Sequence, residues 1–318
     1  MRDVIESYRR RRLRRLRARF DGEDWVTMKG THVLIDDDGN VTGGPSKLKG
    51  RQYKNAQPSA RVKRQSQAQT QAPAKPKRAM DCKDIGELQT YLNDKGWSWT
   101  SENPKVTKEE YKKYADVKFD QLDPKKMSEA IGAVENFMDE FPDMSGDFAG
   151  FRNRASGVAC TNGEYIGFSP LYFMKDAERN LDDVIKKNTD NNWWPKNTSV
   201  NGILSHEMGH FLMGWLTSNN PEYPNPWDKA EAWNKGTEAR KIVSQACRNV
   251  KKTQYGKGKK NEELKKGISD QAFDRGDSEC FAEAFADCAC NGDNASPLSI
   301  EIRKLAIARY KELGGKTK

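Results

Sequence analysis

The chain has 318 residues, with 35% hydrophobic and 32% charged side chains and a formal net charge of +9, so a packed globule accounts for only part of it. Its mean hydropathy is −0.95. No run reaches the ~20 apolar residues of a membrane-spanning helix, and Met1-Arg2-Asp3 opens no apolar secretory core, which predicts a soluble product with no membrane partner. Residues 1–80 hold 20 Lys and Arg against 8 Asp and Glu, a net of +12, and the remainder holds 35 against 38, a net of −3. Cys82, Cys160, Cys247, Cys280, Cys288 and Cys290 read as free thiols in a reducing compartment.

Residues 1–20 contain nine arginines, including Arg9 to Arg12, with Leu13, Leu16 and Phe20 at helical spacing. Such a segment either binds phosphate-rich polymers or an acidic protein surface through charge, or stays solvated as a tail. No base-reading module accompanies it, so sequence-specific nucleic-acid recognition is not expected. Trp25 to Val41 alternates and ends in an acidic Asp-Gly turn, which predicts a small hairpin. Asp36, Asp37 and Asp38 are not followed by the twelfth-position glutamate of a calcium loop. The stretch Met28-Lys29-Gly30-Thr31-His32-Val33-Leu34-Ile35-Asp36-Asp37-Asp38-Gly39 resembles a short segment of phage minor head and phage-associated proteins, with Met28 where that segment has valine. The resemblance implies a phage or prophage product, sited in a virion or in the bacterial cytoplasm.

Residues 52–80 turn to Gln, Ala, Pro, Lys and Arg with almost no large apolar side chains. They cannot offset their ordering entropy and read as a disordered linker. The expected organisation is a basic arm with a short hairpin at 1–51, the linker at 52–80 and a folded domain at 81–318. Within that domain, residues 84–95 and 107–115 have helical patterns, and Asp123-Pro124 opens a stronger helix through Met138. Phe148 to Arg152 reads as a strand, and Val158 to Thr161 and Glu164 to Phe168 flank the hairpin dipeptide Asn162-Gly163. These strands predict a small antiparallel sheet. Tyr165 to Ser169 is its expected edge, either pairing with an extended peptide or serving as an ordinary structural hairpin. Asp176 to Lys187 is amphipathic, and Trp193 and Trp194 in the following loop either line a cleft or pack on the core.

The apolar run Val200 to Trp215 contains Ser205-His206-Glu207-Met208-Gly209-His210, with Thr198 or Ser199 as its cap. Histidines four apart share a helix face. Two imidazoles, a third protein ligand and an open position for water make a catalytic zinc site. Zinc lowers the pKa of that water to roughly 7, and Glu207 can take its proton. Ordinary helix histidines are the alternative reading. His32, the third histidine of the chain, lies beyond the linker, so the remaining ligand is a carboxylate or a cysteine.

Pro221 to Pro226 is turn-rich, Thr237 to Lys251 is helical and Gly256 to Lys260 is a basic loop. Ser278 to Asp287 then reads as a second helix on which Glu279, Glu283 and Asp287 recur every four residues, with Phe281 and Phe285 on another side. Buried carboxylates need a partner. Glu279 is read as the third ligand, and Glu283 as the group that accepts from a ligand histidine and fixes its tautomer. Glu283 as the ligand itself, or a solvated acidic stripe, are the alternatives; Cys280, Cys288 and Cys290 offer thiolates nearby. Asn291-Gly292 stops the helix, and Ser296-Pro297 opens a last one through Leu313.

His206-Glu207-x-x-His210, followed some seventy residues later by Glu279-Cys280-Phe281-Ala282-Glu283, resembles the gluzincin metallopeptidases, specifically the anthrax-lethal-factor-like group. The resemblance covers about residues 145–290 and implies zinc, a protein or peptide substrate and the roles given above. Members of that group often carry a tyrosine seven residues before the glutamate ligand, where it stabilises the oxyanion. Ala272 stands at that offset here. Gln271, Tyr165 and Tyr255 are the possible substitutes.

The expected fold is therefore α+β, a mostly helical zincin-like domain with a small antiparallel sheet behind a basic disordered arm. The expected function is zinc-dependent peptide-bond hydrolysis, with the arm contacting phage capsid or DNA. A non-catalytic virion protein with a structural zinc, and a basic nucleic-acid-binding protein, are the alternatives.

Overall fold

The computed structural model describes residues 24–28, 31–35, 41–43, 78–100, 114, 116–154, 157–162 and 164–317. The Arg-rich segment, most of the expected linker, the Asp-Gly turn and the expected helix at 107–115, apart from Tyr114, lie outside the described residues. The chain divides into two compact units, Met1–Pro76 and Lys77–Lys318. In the first, β1 (Asp24–Met28), β2 (Thr31–Ile35) and β3 (Val41–Gly43) form an antiparallel sheet in that order, with Trp25 opposite Leu34 and Thr27 opposite His32. The expected hairpin is β1–β2, and β3 extends it.

The second unit starts at Lys77 rather than at the expected Asp81. Ala79 is fully buried and its carbonyl accepts from Ser128 Oγ at 2.8 Å, so the chain is anchored before the first helix. The elements are α1 (Ile85–Lys95), β4 (Ser98–Thr100), α2 (Pro124–Glu140), β5 (Gly150–Asn153), β6 (Ala159–Asn162), β7 (Tyr165–Phe168), α3 (Pro170–Phe173), α4 (Leu181–Asp190), α5 (Val200–Asn219), α6 (Pro226–Asn234), α7 (Thr237–Val250), α8 (Asn261–Lys266), α9 (Asp270–Asp274), α10 (Asp277–Asn291) and α11 (Pro297–Glu312). This is a mostly helical α+β unit. Local chemistry sets the ends of the predicted helices: Asp84 accepts from Glu87 N at 2.9 Å before α1, and Asp123 accepts from Lys126 N at 3.0 Å before Pro124 opens α2.

The sheet is mixed, not antiparallel as expected. Its order is β4-β5-β7-β6; β5 runs parallel to both β4 and β7, and only β6 is antiparallel, to β7. The segment through α2 returns the chain between β4 and β5, and β6, running the other way, returns it between β5 and β7, which permits the parallel pairings. Gly150 at φ +129° is required where β5 meets β4, because a Cβ there would lie 2.2 Å from Ser98 O. The expected edge is also corrected. Tyr165–Phe168 is an interior strand and the edge is β6. Register pairs Asn162 with Tyr165, so the hairpin turns at 163–164, one residue later than the Asn-Gly signal suggests.

Ile166, Phe168 and Phe151 are fully buried on one face of this sheet. Against that face α5 packs, with Phe148 meeting Phe211 edge-on at 5.7 Å. Behind α5 lie α2, α10 and α11, joined by the pairs Phe137–Phe285 at 5.5 Å, Phe141–Tyr310 at 5.1 Å and Trp215–Tyr310 at 4.4 Å. Small residues set the crossing of α5 and α10. A Cβ on Gly209 would stand 3.0 Å from Ala282 Cα, and one on Gly202 would stand 2.5 Å from Cys290 Sγ. Position 209 meets 282 and position 202 meets 290, so the helices run antiparallel in close contact. Among the described residues no helix is long and apolar enough to cross a membrane.

Candidate metal centre

Antiparallel packing of α5 on α10 brings together residues some seventy positions apart. His206 and His210, one turn apart on α5, face Glu279 and Glu283, one turn apart on α10. His206 Nε2 and His210 Nε2 are 3.2 Å apart, Glu279 Oε2 is 3.3 Å from the first and Glu279 Oε1 is 3.4 Å from the second. Four ligands placed tetrahedrally about a metal at ~2.0–2.1 Å stand roughly 3.3–3.4 Å from one another. The contacts fall near that spacing, with one oxygen of the Glu279 carboxylate facing each imidazole. Among the described residues, His206, His210 and Glu279 are the one group of three or more such side chains able to hold a metal ion.

Glu283 is on the other side of the His206 ring. Its Oε1 lies 2.8 Å from Nδ1, off the axis of the ring N–H, which therefore makes no linear hydrogen bond. The short distance to a carboxylate oxygen favours a proton on Nδ1. With both rings neutral and their Nε2 lone pairs turned inward, the three converging groups can hold a cation; without one, a ring N–H is free to donate to Glu279. Glu283 is only 2% exposed and its Oε2 accepts from Ser269 Oγ at 2.9 Å. Ser269 also caps α9, accepting from Ala272 N at 3.1 Å.

The charge balance of the cluster follows from these contacts. Burial pulls the His206 pKa down, but hydrogen bonds to Glu279 and Glu283 outweigh it and hold His206 well above its ordinary value. Burial pushes the Glu279 carboxyl up, and its hydrogen bonds with His206 and His210 overcome this and hold it well below the usual carboxylate range. Glu279 also lies in the first turn of α10, where the helix backbone favours a negative charge.

Glu207, next to His206 on α5, is 8% exposed. The Thr161 hydroxyl of β6 lies 2.8 Å from Glu207 Oε2 and 2.6 Å from the Glu207 carbonyl oxygen. Gln271, on α9, is a neighbour of the proposed third ligand: its amide nitrogen donates to Glu279 Oε2 at 2.8 Å, and its oxygen accepts from the Trp194 indole at 3.2 Å. Trp194 is thus a loop tryptophan packed against the core. Tyr165 is not brought to the cluster. It projects from the sheet face opposite Ile166 and Thr161, with the Arg152 guanidinium 6.0 Å from its ring. Tyr255 is 40% exposed beneath Lys259, and Ala272 is fully buried, so the tyrosine offset carries no group toward the metal.

Ser199, one of the two expected caps of α5, is its N-cap residue, without a side-chain cap bond, and Thr198 Oγ1 donates back to Pro195 O at 2.6 Å. All six cysteines are free. None joins the metal cluster; Cys280 is buried and Cys290 packs by Gly202. Burial pushes the Cys288 thiol up to about 12 and also raises those of Cys247, Cys280 and Cys290, which disfavours the thiolate at these four. Sequence reasoning missed Thr161 and Ser269. The spacing of Ser269 before Ala272 signals a helix cap, but nothing in the sequence signals contact with Glu283 or, for Thr161, with Glu207. No family model, no curated protein and no solved structure matches the chain.

Proposed function

We propose that this chain is a zinc metallopeptidase in which His206, His210 and Glu279 hold the metal and Glu207 acts as general base. The observation that carries the reading is the convergence of two imidazoles and one carboxylate, with the ring Nε2 atoms 3.2 Å apart and a Glu279 oxygen 3.3 and 3.4 Å from each, and with a second carboxylate on the residue beside the first ligand. Two imidazoles and one carboxylate suit zinc. Zinc bound there supplies a Lewis acid that acidifies a coordinated water to a pKa of roughly 7 and polarises the scissile carbonyl. Glu207 takes the proton from that water and delivers it to the leaving amine nitrogen. Glu283 keeps the His206 proton on Nδ1 and its lone pair toward the metal.

The substrate in this reading is an extended peptide lying along β6. Ser169 N–H donates to Val158 O, so alternation of the antiparallel ladder turns the main-chain groups of Ala159 and Thr161 away from β7, toward the free edge. Arg154 Nη1 occupies the Ala159 carbonyl at 2.5 Å. Among the described residues the Ala159 N–H and both main-chain groups of Thr161 are left for a substrate strand. A phage setting, with residues 1–20 contacting DNA or capsid protein through charge, rests on the segment Met28 to Gly39. Deleting residues 1–20 should abolish retention on phage DNA or capsid at moderate salt.

The deciding experiment is zinc content of the purified full chain, measured beside Glu279→Ala and Glu207→Gln and paired with hydrolysis of fluorescent casein. A full equivalent of zinc in the wild type and in Glu207→Gln, its loss in Glu279→Ala, and casein cleavage by the wild type alone support the reading. A wild type that takes up no zinc sinks it. A second reading, a zinc that only braces the fold, is favoured by the buried Ala272 at the tyrosine offset. It predicts full zinc and no hydrolysis.

A further inference from the structure

We propose that Thr161 is the positioning residue for Glu207, its hydroxyl tying Oε2 in place so that Oε1 is the oxygen presented to water. This rests on the peptidase reading of the site. A glutamate has three rotatable side-chain bonds, and a base held loosely on a helix loses rate steeply, since a 1 Å misplacement costs about 100-fold. Helix α5 supplies no partner of its own for the Glu207 carboxylate: among the described residues its hydrogen-bonding neighbour is Thr161, from the sheet. The two oxygens are not equivalent. Oε2 has the Thr161 hydroxyl at 2.8 Å. Oε1 has no hydrogen-bond partner among the described residues and is not sealed from solvent.

The tether is short because both of its ends are fixed. Thr161 is opposite Ile166 in the β6–β7 register, so its side chain emerges on the sheet face that packs on α5. A threonine on a strand has restricted χ1, and the same hydroxyl lies 2.6 Å from the Glu207 carbonyl oxygen, so its one proton is shared between the two acceptors of Glu207. Oγ1 therefore sits between the carboxylate and the backbone of a single residue and locates one relative to the other. Oε2, held here, is unavailable to the attacking water, and the proton from water goes to Oε1. Placement on β6 has a further consequence. The main-chain groups of Thr161 face the free edge, so a peptide pairing there would bind the same residue that orients the base.

The test uses the zinc-loaded full chain with Thr161→Val and Thr161→Ser, alone and combined with Glu207→Ala. Valine keeps the strand propensity and shape and removes the hydroxyl; serine restores it. Two readouts are taken, melting temperature and steady-state hydrolysis of fluorescent casein. Thr161→Val should lower the melting temperature more in the wild-type background than in the Glu207→Ala background, where only the hydroxyl contact with the main-chain carbonyl of position 207 remains to be lost. It should keep a full equivalent of zinc while kcat falls about 10- to 100-fold with KM within about twofold, and Thr161→Ser should recover most of the loss. Equal melting shifts in both backgrounds overturn the contact, and wild-type kcat in Thr161→Val, or Thr161→Ser no better than Thr161→Val, overturns the positioning role. A wild type that binds zinc yet leaves casein intact overturns the peptidase reading itself, an outcome distinct from an active wild type matched by Thr161→Val.

Discussion

Gln271 Nε2 stands 2.8 Å from Glu279 Oε2, so the residue beside the vacant tyrosine position touches the proposed third ligand. Its other polar end is held at 3.2 Å by the Trp194 indole. The loop carrying Trp194 is itself stitched to α9, with Gln271 N donating to Trp193 O and Asp270 N to Asn192 O. This chain of contacts fixes the carboxylate's orientation from outside α10, in the manner of outer-sphere partners that tune metal affinity.

Gln271→Ala should therefore weaken zinc binding about 10- to 100-fold while leaving the fold intact. Competition against a chelating dye at constant pH measures this directly. If Gln271 instead serves the oxyanion, its removal leaves zinc affinity unchanged and lowers kcat alone.

Zinc affinity should rise with pH. His206 has its pKa raised, so at acid and neutral pH the metal must displace its proton, and affinity gains up to about tenfold per pH unit until His206 is unprotonated. The metal-free protein follows two opposed rules. The raised His206 pKa contributes stability that is complete below the unfolded value of about 6.5 and is lost as pH rises through the folded value. The depressed Glu279 pKa contributes stability present above the unfolded value of about 4.3 and lost as pH falls through the folded one. Melting in chelator across pH 3–9 checks both, and a zinc affinity independent of pH from 5 to 7 contradicts the protonated cluster.

Much of this was legible in the sequence because it is local. His206, Glu207 and His210 lie in one helical turn, Glu279 and Glu283 in another, and the caps Asp84 and Asp123 are read from single residues. The sheet was not legible, since Ser98–Thr100 pairs in parallel with Gly150–Arg152, and a three-residue strand joined to a partner some fifty positions away leaves no periodicity. Edge and interior could not be told apart for the same reason. The turn slipped by one residue because Asn162-Gly163 is a preference of two residues, whereas the register is set by the pairing of both strands. Short helices such as Pro226–Asn234, Asn261–Lys266 and Asp270–Asp274 span too few turns to show an apolar stripe. Contacts from one element to another, such as Thr161 to Glu207 and Ser269 to Glu283, exist only once the fold is known.

Glu283→Ala should cost both stability and metal. Its carboxylate is buried between His206 Nδ1 and Ser269 Oγ, and its removal takes the facing carboxylate from His206 and the acceptor from the Ser269 O–H, which keeps only its bond from Ala272 N, at about 1–3 kcal/mol for a buried group left unsatisfied. The tautomer of His206 is then no longer fixed, and zinc affinity should fall about 10- to 100-fold. Glu283→Gln keeps an acceptor and should retain most of the stability. Calorimetry with and without zinc separates the two effects; a Glu283→Ala protein with wild-type zinc affinity removes Glu283 from any role at the metal.

Gly209→Ala sets helix propensity against packing. Within a helix the change ordinarily gains about 0.5–1 kcal/mol. Here the new Cβ would lie 3.0 Å from Ala282 Cα and 3.5 Å from the Ala282 Cβ and carbonyl oxygen. Those atoms are backbone or fixed to it, so α10 must move away from α5, and overpacking of this kind costs about 1–3 kcal/mol. Packing should win, with a net loss near 1 kcal/mol and a melting temperature lower by roughly 2–4 °C. The displacement also falls at the metal: Gly209 precedes His210 and Ala282 precedes Glu283, so a shift of a few tenths of an ångström widens the separations on which a tetrahedral ion depends. Zinc affinity should drop with the melting temperature. A Gly209→Ala protein that melts higher and binds zinc as tightly as the wild type would mean that the two helices yield freely at their crossing, and that the contact does not set the spacing of the ligands.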